Sequence, residues 1–493
     1  MLYRLKSHLL RRKHSTTPAP IPVVDYPDWV LWQRIDWARQ HDHHRQCLAH
    51  AQIRQQVLDR QRRVLRLSAE ECSEAAVRAA LARLAELGGG QLYLPEGDIH
   101  FSQSLHLSSH IALIGSQGRT CLCFDGLDYG LWIQGTDAAP VESVTLRDLA
   151  LSHDGGPQFC ATVLVTHCRD LRCQRVTITA PRAVGFLLAD RVIGSHFEQC
   201  KVSHAGLVGF MLVRDVHETV MQQCVAEYCQ QGGMFLTDLK CPKSIAPLDF
   251  QAQLHHTDQV IGNFAPFAPD DPFPYRTDMI DCVLRGNRKM GITTDGVGYL
   301  SVRNCVIADN DCEGITLDNG SFGCAIQNCH IYNNGWRGCQ TEQELGIDFV
   351  QAMGLMDDGS SKAKLPGVSL DNAVDTRIEH NHIEANWGDG VKLVRAAMNT
   401  TITGNVITDN NRGVNEKFHF FGVLLGQADR QHPEQADFPS CNNTVAGNLI
   451  QGTHFAGVHI MLNSRGNQVR NNTIKGATFA AIEDHMRSGN QVE

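Results

Sequence analysis

A glycine that returns at a near-constant interval is the feature that most constrains how this chain folds. Each of these glycines opens a short apolar run, and longer intervals mark insertions. Most intervals are 23 or 24 residues, and the glycines are Gly209, Gly233, Gly291, Gly314, Gly338, Gly367, Gly390, Gly413 and Gly457. A fixed period of this length is typical of a solenoid, whose repeats stack and bury one another's apolar faces. Residues of equal phase should therefore lie side by side.

Two more columns repeat in step with the glycines. Nine residues before the glycine stand Cys200, Cys224, Cys282, Cys305 and Cys329, and later Asn381 and Asn448. Four residues before it stand Asn287, Asn310, Asn334 and Asn386. Asparagine tolerates the left-handed backbone angles of a tight turn. The three columns predict an all-β chain folded as a parallel β-helix, with at least two strands in each coil and the five cysteines stacked inside.

Composition narrows the classes of function. The net charge of -9 gives no bulk attraction to nucleic acid, and no apolar run approaches the ~20 residues of a membrane span. The first residues lack the apolar stretch of a Sec signal peptide. We expect the 18 cysteines to be mainly free and buried, which favours a reducing compartment and a cytoplasmic protein. The sequence does not indicate an oligomeric state.

The N-terminal part differs from the repeats. Residues 1–67 are predicted to be a disordered basic tail followed by amphipathic helices, because three tryptophans and an isoleucine recur at roughly helical spacing, at Trp29, Trp32, Ile35 and Trp37. Four histidines lie nearby, at His41, His43, His44 and His50. No cysteine or carboxylate set completes a coordination shell around them, so we predict no metal site.

The start of the predicted β-helix domain, residues 68–493, carries a second pattern. Ser68-Ala69-Glu70-Glu71 is typical of a helix start and predicts a helix over 70–87, followed by a glycine-rich turn and the strand Leu92-Tyr93-Leu94-Pro95-Glu96-Gly97. This pattern resembles the N-terminal segment of the pectate-lyase-like superfamily. The resemblance covers roughly residues 70–490 and implies a right-handed parallel β-helix capped by that helix. The superfamily includes hydrolases, lyases, epimerases, phage tailspikes and non-enzymes, so the reaction stays open.

The outward positions of the repeats suggest a site. Strands alternate inward and outward, and the first and third residues after each glycine are apolar, so the second and fourth should face outward. The fourth positions read Asp295, Asp318, Glu342, Asp371, Val394 and Lys417, and the second positions include Gln340, Lys392 and His459. Like charges on neighbouring strands destabilise a sheet, and crowded carboxylates raise one pKa, as an acid catalyst needs. We therefore predict that the four carboxylates are catalytic.

Other residues along this face are predicted to bind substrate. They are Lys392, Lys417, His459 and Gln340, together with Trp336 and Trp387, which follow the turn asparagines and would stack on sugar rings. Structural packing is the equal alternative for the two tryptophans.

The segments around two of the aspartates are similar to a known enzyme family. Thr294-Asp295-Gly296 and, one coil later, Asp318-Asn319 resemble the Asn-Thr-Asp and Asp-Asp motifs of polygalacturonases. The resemblance implies an acid role for Asp318, a base role for Asp295 and substrate binding for Lys392. Asn319 replaces the family's second aspartate, and Gly338-Cys339-Gln340 stands where its Gly-His-Gly is expected. We therefore take from the family the idea of a stacked carboxylate pair and not its substrate.

Three functions remain open on the sequence. The leading hypothesis is a glycoside hydrolase or transglycosylase acting on an oligo- or polysaccharide without a cofactor. The second is a lyase or C5-epimerase on a uronic-acid polymer, in which the acidic ladder would hold Ca²⁺ and a lysine or His459 would abstract a proton. The mannuronan epimerase motif Asp-Pro-His-Asp is absent from the sequence. The third is a non-enzymatic glycan-binding or assembly protein.

Overall fold

In the computed structural model, successive coils contribute strands to three parallel ladders, and the described strands pair between neighbouring coils. The structure describes residues 63–493 except 117–118, 156–159, 238–273, 319, 337–363, 395–396, 414–418, 427–439, 453, 462–463 and 485–488. Within the described residues, no helix is long and apolar enough to cross a membrane.

The first ladder consists of β4 (Leu105–His106), β7 (Tyr129–Gln134), β10 (Ala161–Gln174), β12 (Val184–Ile193), β15 (Val208–Val213), β18 (Gly232–Thr237), β21 (Met290–Asp295), β24 (Ile315–Asp318), β27 (Val368–Asp371), β30 (Val391–Val394), β33 (Val423–Leu425), β36 (Ala456–Ile460) and β39 (Ala480–Asp484). The second consists of β1 (Val64–Arg66), β2 (Gly90–Tyr93), β5 (Ile111–Ile114), β8 (Val141–Arg147), β13 (His196–Glu198), β16 (Val216–Gln222), β19 (Tyr275–Ile280), β22 (Gly298–Arg303), β25 (Ala325–Gln327), β28 (Arg377–Glu379), β31 (Thr401–Thr403), β34 (Thr444–Ala446), β37 (Gln468–Arg470) and β40 (Gln491–Val492). The third consists of β3 (Gly97–Phe101), β6 (Thr120–Phe124), β9 (Leu149–His153), β11 (Thr177–Thr179), β14 (Lys201–Ser203), β17 (Val225–Glu227), β20 (Val283–Arg285), β23 (Val306–Ala308), β26 (His330–Tyr332), β29 (His382–Glu384), β32 (Val406–Thr408), β35 (Leu449–Gln451) and β38 (Thr473–Lys475). The first two ladders form one 27-stranded sheet, because the long strands β10 and β12 pair in both, and the third is a separate 13-stranded sheet.

The glycine column explains the period. A Cβ on Gly291 would lie 2.6 Å from the carbonyl oxygen of Gly314, and one on Gly314 would lie 2.6 Å from that of Gly367. Neighbouring backbones therefore approach too closely at this corner for any side chain. The apolar residues after each glycine fill the interior, so Ile292 and Ile315 are fully buried.

Two glycines assigned to this column from the sequence do not belong to it. Strand β24 pairs directly with β27, and β30 pairs directly with β33. The column therefore runs from Gly314 to Gly367 and from Gly390 to Gly422, which contradicts the prediction that Gly338 and Gly413 each begin a coil. Insertions between coils carry glycines that fall in phase by coincidence.

The predicted asparagine column is confirmed and forms a chain of side-chain hydrogen bonds. Nδ2 of Asn287 donates to Oδ1 of Asn310 over 2.9 Å, and the same bond repeats from Asn310 to Asn334 at 2.9 Å. It continues through Asn386 to Asn410 at 2.9 and 2.8 Å. All five side chains are buried. The backbone amides of Asn287, Asn310, Asn334 and Asn386 also donate to the side-chain oxygen of the next asparagine in the column, so these buried amides are paired.

The predicted cysteine column is confirmed as well. Its five cysteines are free and buried, and each thiol lies against a backbone carbonyl of the preceding coil. The sulfur of Cys200, for example, lies 3.3 Å from the carbonyl oxygen of Cys173, and that of Cys329 lies 3.4 Å from the carbonyl oxygen of Val302. The thiols act as small apolar fillers.

The capping helix is present, and it begins later and ends one residue earlier than predicted. Helix α1 spans Glu74–Glu86, and Ser73 caps it by accepting a hydrogen bond from the amide of Ala76. Ser68 and Glu71, predicted to open the helix, instead bond to each other in the preceding turn over 2.9 Å. The buried residues of α1 join the solenoid core, as expected of a cap.

The predicted boundary between helical extension and β-helix is wrong at its end. Residues 64–66 were assigned to the amphipathic helices, but they form β1, which pairs in parallel with β2. The alternation of Val64-Leu65-Arg66 lets Leu65 pack on the core, as a strand requires. The remaining predictions for this segment fall on residues 1–62, outside the described residues.

Candidate functional site

Three aspartates stand on consecutive rungs of the first ladder, on its outer face. Asp295 at the end of β21 lies opposite Asp318 at the end of β24 in the parallel register. Asp371 ends the next strand, β27. Neighbouring strands lie about 4.8 Å apart, so each carboxylate has another within one rung. Asp295 and Asp371 are buried and Asp318 is half-buried. We call these three residues the aspartate ladder.

Hydroxyl groups hold two members of the aspartate ladder in place. Oγ1 of Thr237, one rung earlier, donates to Oδ2 of Asp295 over 3.1 Å. The amide of Asp318 donates to Oγ1 of Thr294 over 3.1 Å, and that hydroxyl shares a 2.8 Å hydrogen bond with Ser321. Thr294 is therefore a polar residue at an inward position where the next coils carry leucine, and its hydroxyl group holds the backbone of Asp318.

The acidic run is shorter than the sequence predicts. Because β24 pairs with β27, the rung next to Asp318 is Asp371, and no coil intervenes. The rung after Val394 is Gly426, because β30 pairs with β33. The predicted run of four acidic rungs grading into lysine is therefore wrong. Gln340 and Glu342 lie within 337–363 and Lys417 within 414–418, outside the described residues.

A second row of outward side chains runs parallel to the aspartate ladder. It reads Thr293, Thr316, Ser369, Lys392, Leu424, His459 and Glu483. On the preceding coils the same row is apolar, at Trp132, Leu164, Leu187, Met211 and Phe235. The outer face changes from apolar to polar where β18 gives way to β21. The structure therefore brings the predicted residues Lys392 and His459 onto the same face as the aspartate ladder.

A cluster of buried charged groups lies at the other end of these strands. Glu313 and Asp389 each stand directly before a column glycine, two rungs apart, and both are buried. Lys392 interacts electrostatically with both carboxyl groups, and the buried Lys289 interacts with Glu313. We call Glu313, Asp389, Lys392 and Lys289 the lysine cluster.

Burial controls the protonation of the two carboxyl groups in the lysine cluster. Burial raises the pKa of Glu313, while the charges of Lys392 and Lys289 oppose the rise. Burial also raises the pKa of Asp389 to about 6, although Lys392 and the backbone amide of Phe421 favour its charged form. That amide donates to Oδ1 of Asp389 over 2.7 Å. A carboxyl group with this pKa exchanges protons near neutral pH.

His459 is linked to the lysine cluster through Phe421. The imidazole of His459 stacks on the ring of Phe421 with centroids 4.2 Å apart and an interplanar angle of 10°. Its Nδ1 lies 2.7 Å from Oε2 of Glu483 on the next rung. The carboxylate thus lies against one nitrogen of the buried ring. A hydrogen bond to Phe421, a ring stack on His459 and a close contact with Glu483 thus connect Asp389 to Glu483.

The two predicted tryptophans lie at the edge of this face, with different surroundings. Trp336 is 40% exposed, and its Nε1 donates to Asp311 over 2.6 Å. Trp387 is half-buried, with the ammonium of Lys364 5.4 Å and the guanidinium of Arg412 5.8 Å from its ring centroid. Two cations thus lie over the ring of Trp387. Trp336 is more exposed and offers the more accessible ring for stacking on a sugar.

The sequence reasoning missed Glu313, Asp389 and Lys289. It counted outward positions only after each glycine, whereas the residue just before the glycine also faces the site. The same position holds Met290, Pro366 and Phe421 in other coils. The signal was the pair of acidic-glycine dipeptides, Glu313-Gly314 and Asp389-Gly390.

Two groups of described residues have ligand atoms close enough to share a metal ion, and the aspartate ladder is not one of them. In each group the ligand atoms all lie within 4.8 Å of one another. The groups are Asp98, Cys121 and Cys123, and His330, His382 and Glu384. Described oxygens of the aspartate ladder therefore do not converge on one point, as Ca²⁺ coordination requires.

Comparison with known proteins identifies the fold. A family model described as "Right handed beta helix region" matches residues 275–351 and 360–493. The A-module of the mannuronan C-5 epimerase AlgE4 of Azotobacter vinelandii is similar, with a TM-score of 0.55 and 16% identity over 85% of this chain and 95% of that one. The surface protein and adhesin PfbA of Streptococcus pneumoniae gives a TM-score of 0.51 and 13% identity over 83% and 95%. None of the curated proteins matches the sequence.

These likenesses, at such low identity, concern the fold alone. The family model agrees with the right-handedness that the resemblance to pectate-lyase-like proteins predicts. The stacked coils, the parallel ladders and the matching family model lead to one conclusion. The chain is a right-handed parallel β-helix protein.

Proposed function

We propose that this protein is a carbohydrate-active enzyme, a glycoside hydrolase or transglycosylase that acts on an oligo- or polysaccharide. The observation that carries the proposal is the register of Asp295 and Asp318, which sets two carboxyl groups one rung apart on the outer face. A rung of about 4.8 Å suits the separation of about 5 to 5.5 Å between the carboxyl groups of a retaining glycosidase.

The aspartate ladder supplies both states that this chemistry needs. Crowding of like charges favours a proton on one of the carboxyl groups while its neighbours stay ionised. Asp318, which is half-buried and accessible, is assigned as the acid that protonates the glycosidic oxygen. Asp295, held by Thr237, is assigned as the carboxylate that attacks the sugar or activates water. Asp371, one rung beyond Asp318, adds a further carboxylate to the ladder.

The lysine cluster and the second row would hold the neighbouring sugars. Thr316 and Ser369 offer hydroxyl groups between the two charged regions, and Lys392 offers a cation beside them. Trp336, at the edge, offers an aromatic surface that is 40% exposed. A polymer lying across these rungs would place one linkage at the aspartate ladder.

A second candidate function is a lyase or C5-epimerase on a uronic-acid polymer. Lys392 favours it, because a lysine among carboxyl groups can neutralise a uronate or accept a proton. The fold is shared with a mannuronan C-5 epimerase, and it is equally shared with an adhesin.

The experiment is a panel of neutral and uronic-acid polysaccharides assayed with and without a strong chelator. We expect new reducing ends, chelator-resistant activity and no ultraviolet absorbance from unsaturated uronate. Chelator-sensitive activity with that absorbance would establish the lyase instead. Binding to a glycan array without any product would point to a glycan-binding protein.

A further inference from the structure

A group of side chains far along the chain from the aspartate ladder has the composition of a metal site. Cys121 and Cys123 lie on β6, and Asp98 lies on β3, in the third ladder. Their inward neighbours Ile99 and Leu122 are buried in the core. The alternation of a strand therefore places the three side chains together on the outer face.

The geometry of the two thiols fits one bound ion. The sulfur atoms of Cys121 and Cys123 lie 3.7 Å apart. Two thiolates bound at about 2.3 Å to one tetrahedral Zn²⁺ lie about 3.8 Å apart. A carboxylate oxygen of Asp98 lies within 4.8 Å of both sulfur atoms, and Asp98 is directly opposite Cys121 in the register. Little movement separates this arrangement from three ligands of a tetrahedron.

His100 is the candidate for a fourth ligand, and its ring nitrogens lie outside the group of atoms within 4.8 Å of one another. His100 is directly opposite Cys123 on the same outer face. Its Nδ1 lies 3.6 Å from Oδ2 of Asp125, which leaves Nε2 for a metal. A carboxylate that orients a ligating histidine in this way is common around zinc. Both side chains are largely exposed, at 69% and 63%, so His100 is free to rotate towards the thiols.

We propose that Cys121, Cys123, Asp98 and His100 form a binding site for Zn²⁺. Binding breaks two S–H bonds and forms two Zn–S bonds, and the two protons pass to solvent. The carboxylate of Asp98 is already charged, so the loaded site carries one net negative charge. Thiolate sulfur selects Zn²⁺ over Ca²⁺ and Mg²⁺, which prefer oxygen ligands.

The other group near metal-binding distance is explained without an ion. Nε2 of His330 lies 2.7 Å from Oε1 of Glu384, and Nε2 of His382 lies 3.1 Å from Oε2 of the same residue. The two imidazoles are stacked at 5.0 Å. One carboxylate thus already lies against both rings, whereas the thiols of Cys121 and Cys123 have a weak contact with each other.

The test is Co²⁺ titration of the full-length protein after reduction and removal of metals. Cobalt bound by thiolates shows a sulfur-to-metal charge-transfer band in the near ultraviolet that imidazole-bound cobalt lacks. We expect the wild type to take up one equivalent with this band, and Zn²⁺ to displace it. The double variant Cys121→Ser/Cys123→Ser should lose the band, while Cys72→Ser, which changes a half-buried cysteine elsewhere, should keep it.

A milder variant keeps the proposal testable if the double variant folds poorly. Asp98→Asn changes an exposed residue and should keep the band but weaken Zn²⁺ binding about tenfold or more. The proposal is overturned if the wild type shows no band, or if the double variant shows the same band as the wild type. It is also overturned if mass spectrometry finds Cys121 and Cys123 joined as a disulfide that persists in reductant.

Discussion

Asp295 and Asp318 lie opposite each other on adjacent rungs, with Thr237 bonded to the first and Thr294 bonded to the amide of the second. A sheet gains nothing from two like charges in direct register. Under the proposed function, these hydroxyl groups hold the pair for chemistry rather than for stability.

Removing either charge should abolish turnover without harming the fold. We expect Asp318→Asn and Asp295→Asn each to lower kcat/KM at least about a hundredfold, as the loss of an acid or base catalyst does. The thermal midpoint should stay unchanged or rise, because a like-charge repulsion is removed. Scanning calorimetry and an activity assay check this together. Asp281→Asn, at an exposed turn, is the matched control and should change neither, whereas a falling midpoint with activity retained would show that the ladder is structural.

The raised pKa of Asp389 should make the stability of the protein depend on pH. Its folded value of about 6 lies above its ordinary 3.8. Between these values the unfolded chain loses the proton first and binds fewer protons than the folded one, so stability falls as pH rises through this window. The loss is about 2 to 3 kcal/mol. Asp389→Asn, which keeps an oxygen for the amide of Phe421, should lose this part of the decline, as thermal midpoints across the window would measure. An unchanged decline would show that Asp389 is not the group that titrates.

Lys392 should control the proton of Asp389. Its charge favours the carboxylate, so Lys392→Met should raise the pKa of Asp389 further and extend the decline in stability to higher pH. Lys392→Arg, which keeps the charge, should leave the decline close to that of the wild type. Equal pH profiles for the two variants would contradict this electrostatic link.

Interrupting the asparagine column in its middle should lower the stability of the protein more than interrupting it at its end. Asn334 accepts from Asn310 and donates to Asn386, so Asn334→Ala leaves buried partners unsatisfied, at about 1 to 3 kcal/mol each. Asn472 ends a similar column and only accepts from its predecessor Asn448 and donates to a backbone carbonyl. Asn472→Ala should therefore lower the thermal midpoint less than Asn334→Ala. Equal losses would indicate that the bonds between coils contribute little.

The fold was predictable because the coils repeat one physical constraint. Only glycine fits where the backbone of Gly291 meets that of Gly314, so the period is visible in the sequence. The predicted placement of Asp295 opposite Asp318 is confirmed, because their coils follow without insertion. It failed at Gly338 and Gly413, because nothing local distinguishes a column glycine from one that lies in an insertion at the same interval.

The lysine cluster was not predictable in the same way. Glu313 and Asp389 precede the glycine, where other coils carry Met290 and Pro366, so no column marks the position. The electrostatic contact of Glu313 with Lys392 joins side chains from different coils. Such a contact depends on which coils are neighbours, and the insertions hide this from a count along the chain.

The most direct test of the proposed function is the mass of the products formed in water labelled with heavy oxygen. For a cleaved polysaccharide, we expect one heavy oxygen at each new reducing end, or unlabelled transfer products when an acceptor sugar is present. The product should be saturated, and Asp318→Asn should form none. Unlabelled, unsaturated fragments, or an intact polymer that has exchanged hydrogen with solvent at the carbon beside a carboxylate, would contradict it.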